Sequence, residues 1–266
     1  MMIIRVALIA MGFLCGTSPA FATWSIVAVD PETREVGIAA ASCSTGVRLI
    51  AGLVPGKGAV ASQAATSFLG RDVAMEMIDK GDRADIIVRK LADEDLYASP
   101  IRMGLQWLQY GLVTLNPSPK AGTLTGYSVP NDWGAVHGDE YSVQGNTLRT
   151  GVVDAIATAW RLDTVGSCHK PLAERLLRAL EAGRDAGGDN RCPEGASSLA
   201  AFLFVAKPDD DPEKPSLMLE APRHFTGLEM TWQIPAGFTP DPGLPEPVAH
   251  LRQIYDAEVP TPSCDD

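Results

Sequence analysis

The stretch Thr23 to Ser44, TWSIVAVDPETREVGIAAASCS, limits the possible folds more than any other part of the chain. Two apolar runs are separated by the turn-forming tetrad Asp30-Pro31-Glu32-Thr33, a pattern that predicts a β-hairpin. A strand with one wet face alternates apolar and polar residues. Here Ile26 and Ala28 alternate with Val27 and Val29, and Ile38 to Ala41 are apolar without a break. Both faces of these strands therefore need cover.

The rest of the chain supplies that cover. A second strand pair is expected at Leu49 to Leu53 and Gly58 to Ser62, around Pro55-Gly56. Helical periodicity follows: Val73, Met77 and Ile78 share a face closed by Gly81, then Asp82 is a cap candidate for a helix carrying Ile86, Ile87 and Leu91. Strands are expected again at Leu105 to Leu115, Gly122 to Val129 and Glu140 to Gln144. Two helices come next, one with Val152, Val153, Ile156 and Trp160, the other running from about Pro171 to Ala186 with Leu172, Leu176, Leu177 and Leu180. Ser198 to Ala206 and Phe225 to Ile234 read as strands, and Val248, Leu251, Ile254 and Tyr255 mark a last helix. Runs of strands with helices in pairs between them suggest an α+β fold layered as two sheets between helices. There is no internal repeat or linker, and the Pro-rich stretches Lys207 to Pro215 and Pro235 to Pro247 read as surface loops, so a single domain over residues 23–266 is expected.

The segment before this domain has a different character. Residues 1–22 combine a basic Arg5, an apolar stretch from Val6 to Leu14 and the small-x-small ending Ala20-Phe21-Ala22, the pattern of a secretory signal peptide. No later segment reaches the run of about 20 apolar residues that a membrane helix needs, so export to the periplasm or beyond the cell, without a membrane anchor, is expected. Residues 23–266 hold 21 Lys and Arg against 33 Asp and Glu, because Arg5 is the sole charged residue of the first 22. A net charge of −12 would repel nucleic acid. Four cysteines remain, Cys43, Cys168, Cys192 and Cys264, without zinc-site spacing or accompanying histidines. An even number in an oxidising compartment suggests two disulfides and no metal. A helix of roughly 24 Å separates Cys168 from Cys192, too far for a link unless the five residues Gly187 to Arg191 run back fully extended. Cys43 with Cys192 is preferred instead, a link that would tether the strand end beside Thr23 to the Gly187-Gly188-Asp189 loop, leaving Cys168 for Cys264.

Cleavage after Ala22 changes the chemistry of Thr23. Its nitrogen ceases to be an amide and becomes an α-amine with a pKa of about 7.7 to 8, suited to act as a base near neutral pH. A threonine hydroxyl is inert until a base takes its proton, and here the same residue supplies that base. Thr23 to Thr33 followed by Val36-Gly37-Ile38-Ala39 resembles the opening of a bacterial family of predicted N-terminal-nucleophile (Ntn) hydrolases, domain-of-unknown-function family 1028. The resemblance continues through GKGAVASQ at Gly56 to Gln63, SVQGNTL at Ser142 to Leu148, the helix Pro171 to Gly183, the group Ala186 to Asp189 with Arg191, and Asp241 to Tyr255. It implies the four-layer αββα Ntn fold and no particular substrate. The loop NRCPEGASS departs from the shorter, glutamine-containing loop common in that family.

Other residues can be given roles. Asn146, after a predicted strand, offers a side-chain amide for an oxyanion, or simply forms a Gly-Asn turn with Gly145. Ser42 falls opposite Thr23 if the hairpin turn centres on Glu32 and Thr33; a slip of one residue would turn it away. Gln63 is a candidate for the wall of the site. Asp189 and Arg191 could bind the amine and carboxylate of a substrate, or form a helix cap and a surface ion pair. His137, His169, His224 and His250 are scattered and lack a serine-hydrolase context. The expected activity is hydrolysis of a small amide, peptide or acylated amino compound, with no cofactor. The competing class is a non-catalytic protein that binds a cell-wall fragment or small metabolite. A homo-oligomer is compatible with either.

Overall fold

The structure is a computed structural model describing residues 23–98, 104–130, 132–163, 170–221 and 245–260. The chain opens on the hairpin of β1 (Thr23–Val29) and β2 (Val36–Ser42), in the register Thr23 opposite Ser42 through Val29 opposite Val36. Asp30 fixes the turn: its Oδ1 accepts from the backbone N–H groups of Glu32 and Thr33, at 2.9 and 3.1 Å. A 3₁₀ turn (Val47–Ile50) takes the place of the first residues of the strand expected from Leu49, after which come β3 (Ala51–Val54) and β4 (Gly58–Ala64).

Helix α1 (Phe68–Asp79) is capped by Ser67, whose side chain accepts from Gly70 N, and buries Gly70, Ala74 and Ile78 at i, i+4 and i+8. Helix α2 (Ala84–Leu91) starts one residue later than expected: Arg83 holds the cap position without a side-chain bond, so Asp82 is not the cap. Strands β5 (Leu108–Thr114), β6 (Lys120–Thr125), β7 (Gly134–His137) and β8 (Tyr141–Asn146) follow. Leu105–Trp107 is a 3₁₀ turn, and the strand expected to run to Val129 stops at Thr125. Helices α3 (Val152–Asp163) and α4 (Leu172–Asp185) lead to β9 (Ala200–Ala206), β10 (Leu217–Ala221) and α5 (Pro247–Glu258). The expected strand Phe225 to Ile234 lies outside the described residues, as do the signal segment, Cys168 and Cys264.

Among the described residues there are two antiparallel sheets and five α-helices. One sheet has the order β10-β9-β2-β1-β8-β7, the other β3-β4-β5-β6. The alternation of strand side chains sorts the core into three apolar clusters. Trp24, Ile26 and Ala28 join residues of α3, α4 and α5 on one face of the six-stranded sheet. Val27, Val29, Val36 and Ile38 meet Ala59, Ala61 and Val113 of the smaller sheet. Val60, Tyr110 and Leu112 pack against Ala74, Ile78, Ile87 and Leu91 of α1 and α2. The central hairpin is thus covered on both faces, as its uniform apolarity requires.

Candidate active site at the start of the central strand

Thr23 is the first residue of β1 and stands between two neighbours: Ser42, the last residue of β2, and Asn146, the last of β8. Asn146 is therefore a strand residue, and the turn begins after it at Thr147, whose φ is 53°. The hydroxyl Oγ1 of Thr23 donates to Ser42 Oγ over 3.3 Å, and Ser42 Oγ also accepts from Ser44 N at 3.0 Å. A hydroxyl proton rotates, so Ser42 can reverse the sense of the first bond.

The inter-sheet space changes character along β1. At the Val29 end it is apolar; at the Thr23 end it holds a run of buried amides and hydroxyls. Gln63 Nε2 donates to the carbonyl of Thr23 at 3.2 Å and to Gln109 Oε1 at 2.9 Å, while Gln63 Oε1 accepts from Ser25 Oγ at 2.6 Å. Gln144 Nε2 donates to Ser25 Oγ at 2.5 Å, and its Oε1 accepts from Ser142 Oγ at 2.7 Å. Gln109 Nε2 donates to the carbonyls of Gly145 and Gly134 at 3.1 and 3.4 Å and to Thr125 Oγ1 at 3.1 Å. Asn146 Nδ2 donates to Gln109 Oε1 at 3.2 Å, but Asn146 Oδ1 has no partner. Ser25, Ser42, Gln63, Gln109, Gln144 and Asn146 are all 0% exposed, and Thr23 is 2% exposed in the full-length chain, where its nitrogen is still a peptide nitrogen. Hydrogen bonding is what makes this polar cluster tolerable inside the protein.

A loop after α4 braces the same end. The helix ends with Gly187 N donating to Arg184 O and Gly188 N to Gly183 O, with φ of 105° and 61° at the two glycines. This termination needs glycine in the left-handed region. It also brings the chain close: a Cβ on Gly188 would lie 2.7 Å from Trp24 Cη2 and 2.6 Å from Ser197 O. Asp189, buried at 0% exposure, then accepts from Cys43 N at 2.7 Å and from Arg191 N at 2.9 Å, and pairs with the Arg191 guanidinium through Nη2 at 2.8 Å. It is neither a helix cap nor a surface ion-pair residue. Cys43 and Cys192 are joined in a disulfide with Cα atoms 5.6 Å apart, the preferred pairing. Cys43, Asp189 and Cys192 form the one cluster of potential metal-ligating groups among the described residues. Both sulfurs are spent on the disulfide and the carboxylate on hydrogen bonds, so the cluster does not fit a metal.

The fold thus brings together Thr23, Ser42, Asn146 and Gln63, and sets Asp189 behind them through Cys43. Arg191 is held by Asp189. His137 is an exposed residue of β7 and His250 lies on α5; His169 and His224 are outside the described residues. Sequence reading missed Ser25, Gln109, Ser142 and Gln144. For Ser25, Ser142 and Gln144 the signal was a polar residue at every second place in otherwise apolar strands, Thr23 and Ser25 or Ser142, Gln144 and Asn146; Gln109, followed on its face of β5 by Gly111 and Val113, carried none.

Residues 23–226 match the model of a family described as "Family of unknown function (DUF1028)". Among solved structures, the chain is similar to the crystal structure of protein SPO2555 from Silicibacter pomeroyi, itself labelled with that family. Identity is 24%, the TM-score is 0.63, and the match covers 89% of this chain and 88% of the other. At that identity the likeness speaks for the fold alone. No match was found among curated proteins.

Proposed function

Since the chain belongs to DUF1028, a family of unknown function, its chemistry has to be argued from the site, and we propose an exported Ntn amidohydrolase whose nucleophile is Thr23. The carrying observation is positional. The residue that signal cleavage after Ala22 would leave first is also the first residue of the central strand, with its hydroxyl 3.3 Å from Ser42 Oγ and its carbonyl held by Gln63. Apolar clusters between the sheets and under helices on both outer faces support the αββα sandwich of Ntn hydrolases. Export is supported by the Arg5, Val6 to Leu14 and Ala20-Phe21-Ala22 pattern, by the Cys43–Cys192 disulfide, and by the lack, among the described residues, of a helix long and apolar enough to cross a membrane.

The reaction uses the chain's own groups. The α-amine takes the proton of Thr23 Oγ1 as that oxygen attacks the carbonyl carbon of an amide. Collapse of the tetrahedral intermediate breaks the C–N bond, and the leaving nitrogen receives the proton from the α-ammonium. Water then attacks the threonine ester, losing a proton to the amine, and the acid product departs as Oγ1 regains a proton. Substrates of this chemistry are small amides, peptides or acylated amino compounds.

The test starts with the N-terminus of exported protein by intact mass and sequencing, where a start other than Thr23 refutes the proposal. An amide library is then screened with wild type, Thr23→Ser, Thr23→Ala and uncleaved precursor. Turnover should persist partly in Thr23→Ser and vanish in Thr23→Ala and in the precursor. Equal turnover by wild type and Thr23→Ala rejects the nucleophile, and saturable binding without turnover in any form favours a binding protein.

A further inference from the structure

The amides around Thr23 have only one consistent orientation, and it fixes which atom of Asn146 meets the site. Backbone carbonyls accept and never donate, so the end of Gln109 lying 3.1 Å from Gly145 O and 3.4 Å from Gly134 O must be its NH₂. Its Oε1 is then the end shared by Gln63 and Asn146. Gln63 is fixed the same way, since the atom 3.2 Å from the carbonyl of Thr23 has to be Nε2. What Asn146 turns toward Gln109 Oε1 must therefore be Nδ2, at 3.2 Å. Its Oδ1 is left on the other side, fully buried and unpartnered.

A buried carbonyl oxygen without a donor is costly and uncommon. The missing donor is one that the uncleaved chain cannot supply. Asn146 is the cross-strand partner of Thr23, and directly opposed residues bring their Cα atoms within about 4.5 to 5.5 Å. As an amide, the nitrogen of Thr23 has one N–H; as an amine it has two, and as an ammonium three. We infer that Asn146 Oδ1 accepts a hydrogen bond from the α-amine that cleavage creates at Thr23, making Asn146 a positioning residue for the base. With one N–H held by Oδ1, the lone pair of the amine can face Oγ1, the atom whose proton it must take. The oxyanion role expected from sequence would fall to the second N–H of the same NH₂, the first being given to Gln109.

This inference rests on the proposed mature N-terminus, and its test separates the two. Protein is exported with ¹⁵N-threonine, its start confirmed by mass, and the α-amine nitrogen, resolved from amide nitrogens by chemical shift, is titrated by NMR. An acceptor stabilises the ammonium more than the amine, so it raises the pKa. Asn146→Ala should lower the pKa of the Thr23 amine by about one unit, a tenfold loss of proton affinity. The neighbours at this end on β2, β4, β5 and β8 are Ser42, Gln63, Gln109 and Asn146, all neutral. The charged pair Asp189–Arg191 behind Cys43 is common to both proteins, so it cancels in the comparison. Should Asn146→Ala not fold, the side-chain ¹³Cγ of Asn146 in the wild type answers the same question: its shift should follow the titration of the amine. A structural role would leave both readouts still. An unmoved amine pKa in Asn146→Ala, or an Asn146 ¹³Cγ shift that ignores the amine, overturns the inference while leaving Thr23 as nucleophile intact; an N-terminus other than Thr23 overturns both.

Discussion

Adding one methyl group at Gly111 should damage the floor of the site more than most large-to-small core substitutions would. Gly111 lies on β5, facing β8 of the opposite sheet, and a Cβ there would overlap the carbon and oxygen of the terminal amide of Gln144. Gln144 has nowhere cheap to go. It is 0% exposed, and both ends of its amide are engaged, one with Ser142 Oγ at 2.7 Å and the other with Ser25 Oγ at 2.5 Å. Overpacking costs about 1–3 kcal/mol, and stranding buried polar groups costs about 1–3 kcal/mol each. Gly111→Ala should therefore lose about 4 kcal/mol, much of the stability of an ordinary domain. The partner variant Gln144→Ala removes the same bonds but opens the space that the new methyl needs. In Gly111→Ala/Gln144→Ala the loss should thus stay close to that of Gln144→Ala alone, with a coupling of about 2 kcal/mol or more. Urea denaturation followed by tryptophan fluorescence measures all four corners of the cycle. A Gly111→Ala protein within about 1 kcal/mol of wild type, or strictly additive losses, would refute the close inter-sheet packing from which this follows.

Two further outcomes can be checked on the same purified protein. Cys43→Ser/Cys192→Ser should lose about 2–5 kcal/mol, and hydrogen exchange should quicken first at the amide of residue 43, whose N–H bonds Asp189 Oδ2; a loss below about 1 kcal/mol, or exchange quickening elsewhere first, contradicts the bracing role. The carboxyl of Glu35 is pushed above its ordinary value of 4.5, first by partial burial and then by Asp30. Below that ordinary value it is protonated in both folded and unfolded chains and costs nothing; as pH rises through the ordinary and then the raised value, ionisation becomes a penalty on the folded state. Glu35→Gln should accordingly raise the melting temperature near pH 7 and leave it unchanged near pH 3, and a gain of equal size at both would contradict the sign of the shift.

What could be read from the sequence followed from local rules. The hairpin register needed only the centre of the turn and the strand period, so the meeting of Ser42 with Thr23 was available before any coordinates. Helix length spoke only against Cys168–Cys192; the Cys43–Cys192 link followed from preferring a tether between the strand end beside Thr23 and the Gly-Gly-Asp loop. Gln109 and Gln144 escaped because a buried glutamine and a solvated one look alike in a sequence, and only the stacking of β5 on β8 shows that they share a sealed space. Short strands at sheet margins escaped for a related reason. In β10 only Leu219 and Ala221 are buried and the apolar run is just Leu217 to Leu219, while the four-residue β7 has no buried residue, so both are too short to stand out as strands. The cap assigned to Asp82 failed because the helix begins one residue later, a choice made by the burial of Ala84 against the smaller sheet.

The bridge between residues 43 and 192 also sets the covalent topology of the molecule. It closes a ring with a sequence separation of 149. Inside the ring lie the whole four-stranded sheet, both its helices and the strand that ends in Asn146; outside it lie Thr23, Ser42, β9, β10 and α5. A protease that cuts once anywhere inside leaves two pieces still tied together, running as one species until a thiol is added. A cut between Thr23 and Ser42 frees a fragment at once. A nicked sample could therefore pass for intact on a non-reducing gel, with the two halves of the proposed site still held to one another by a single sulfur–sulfur bond.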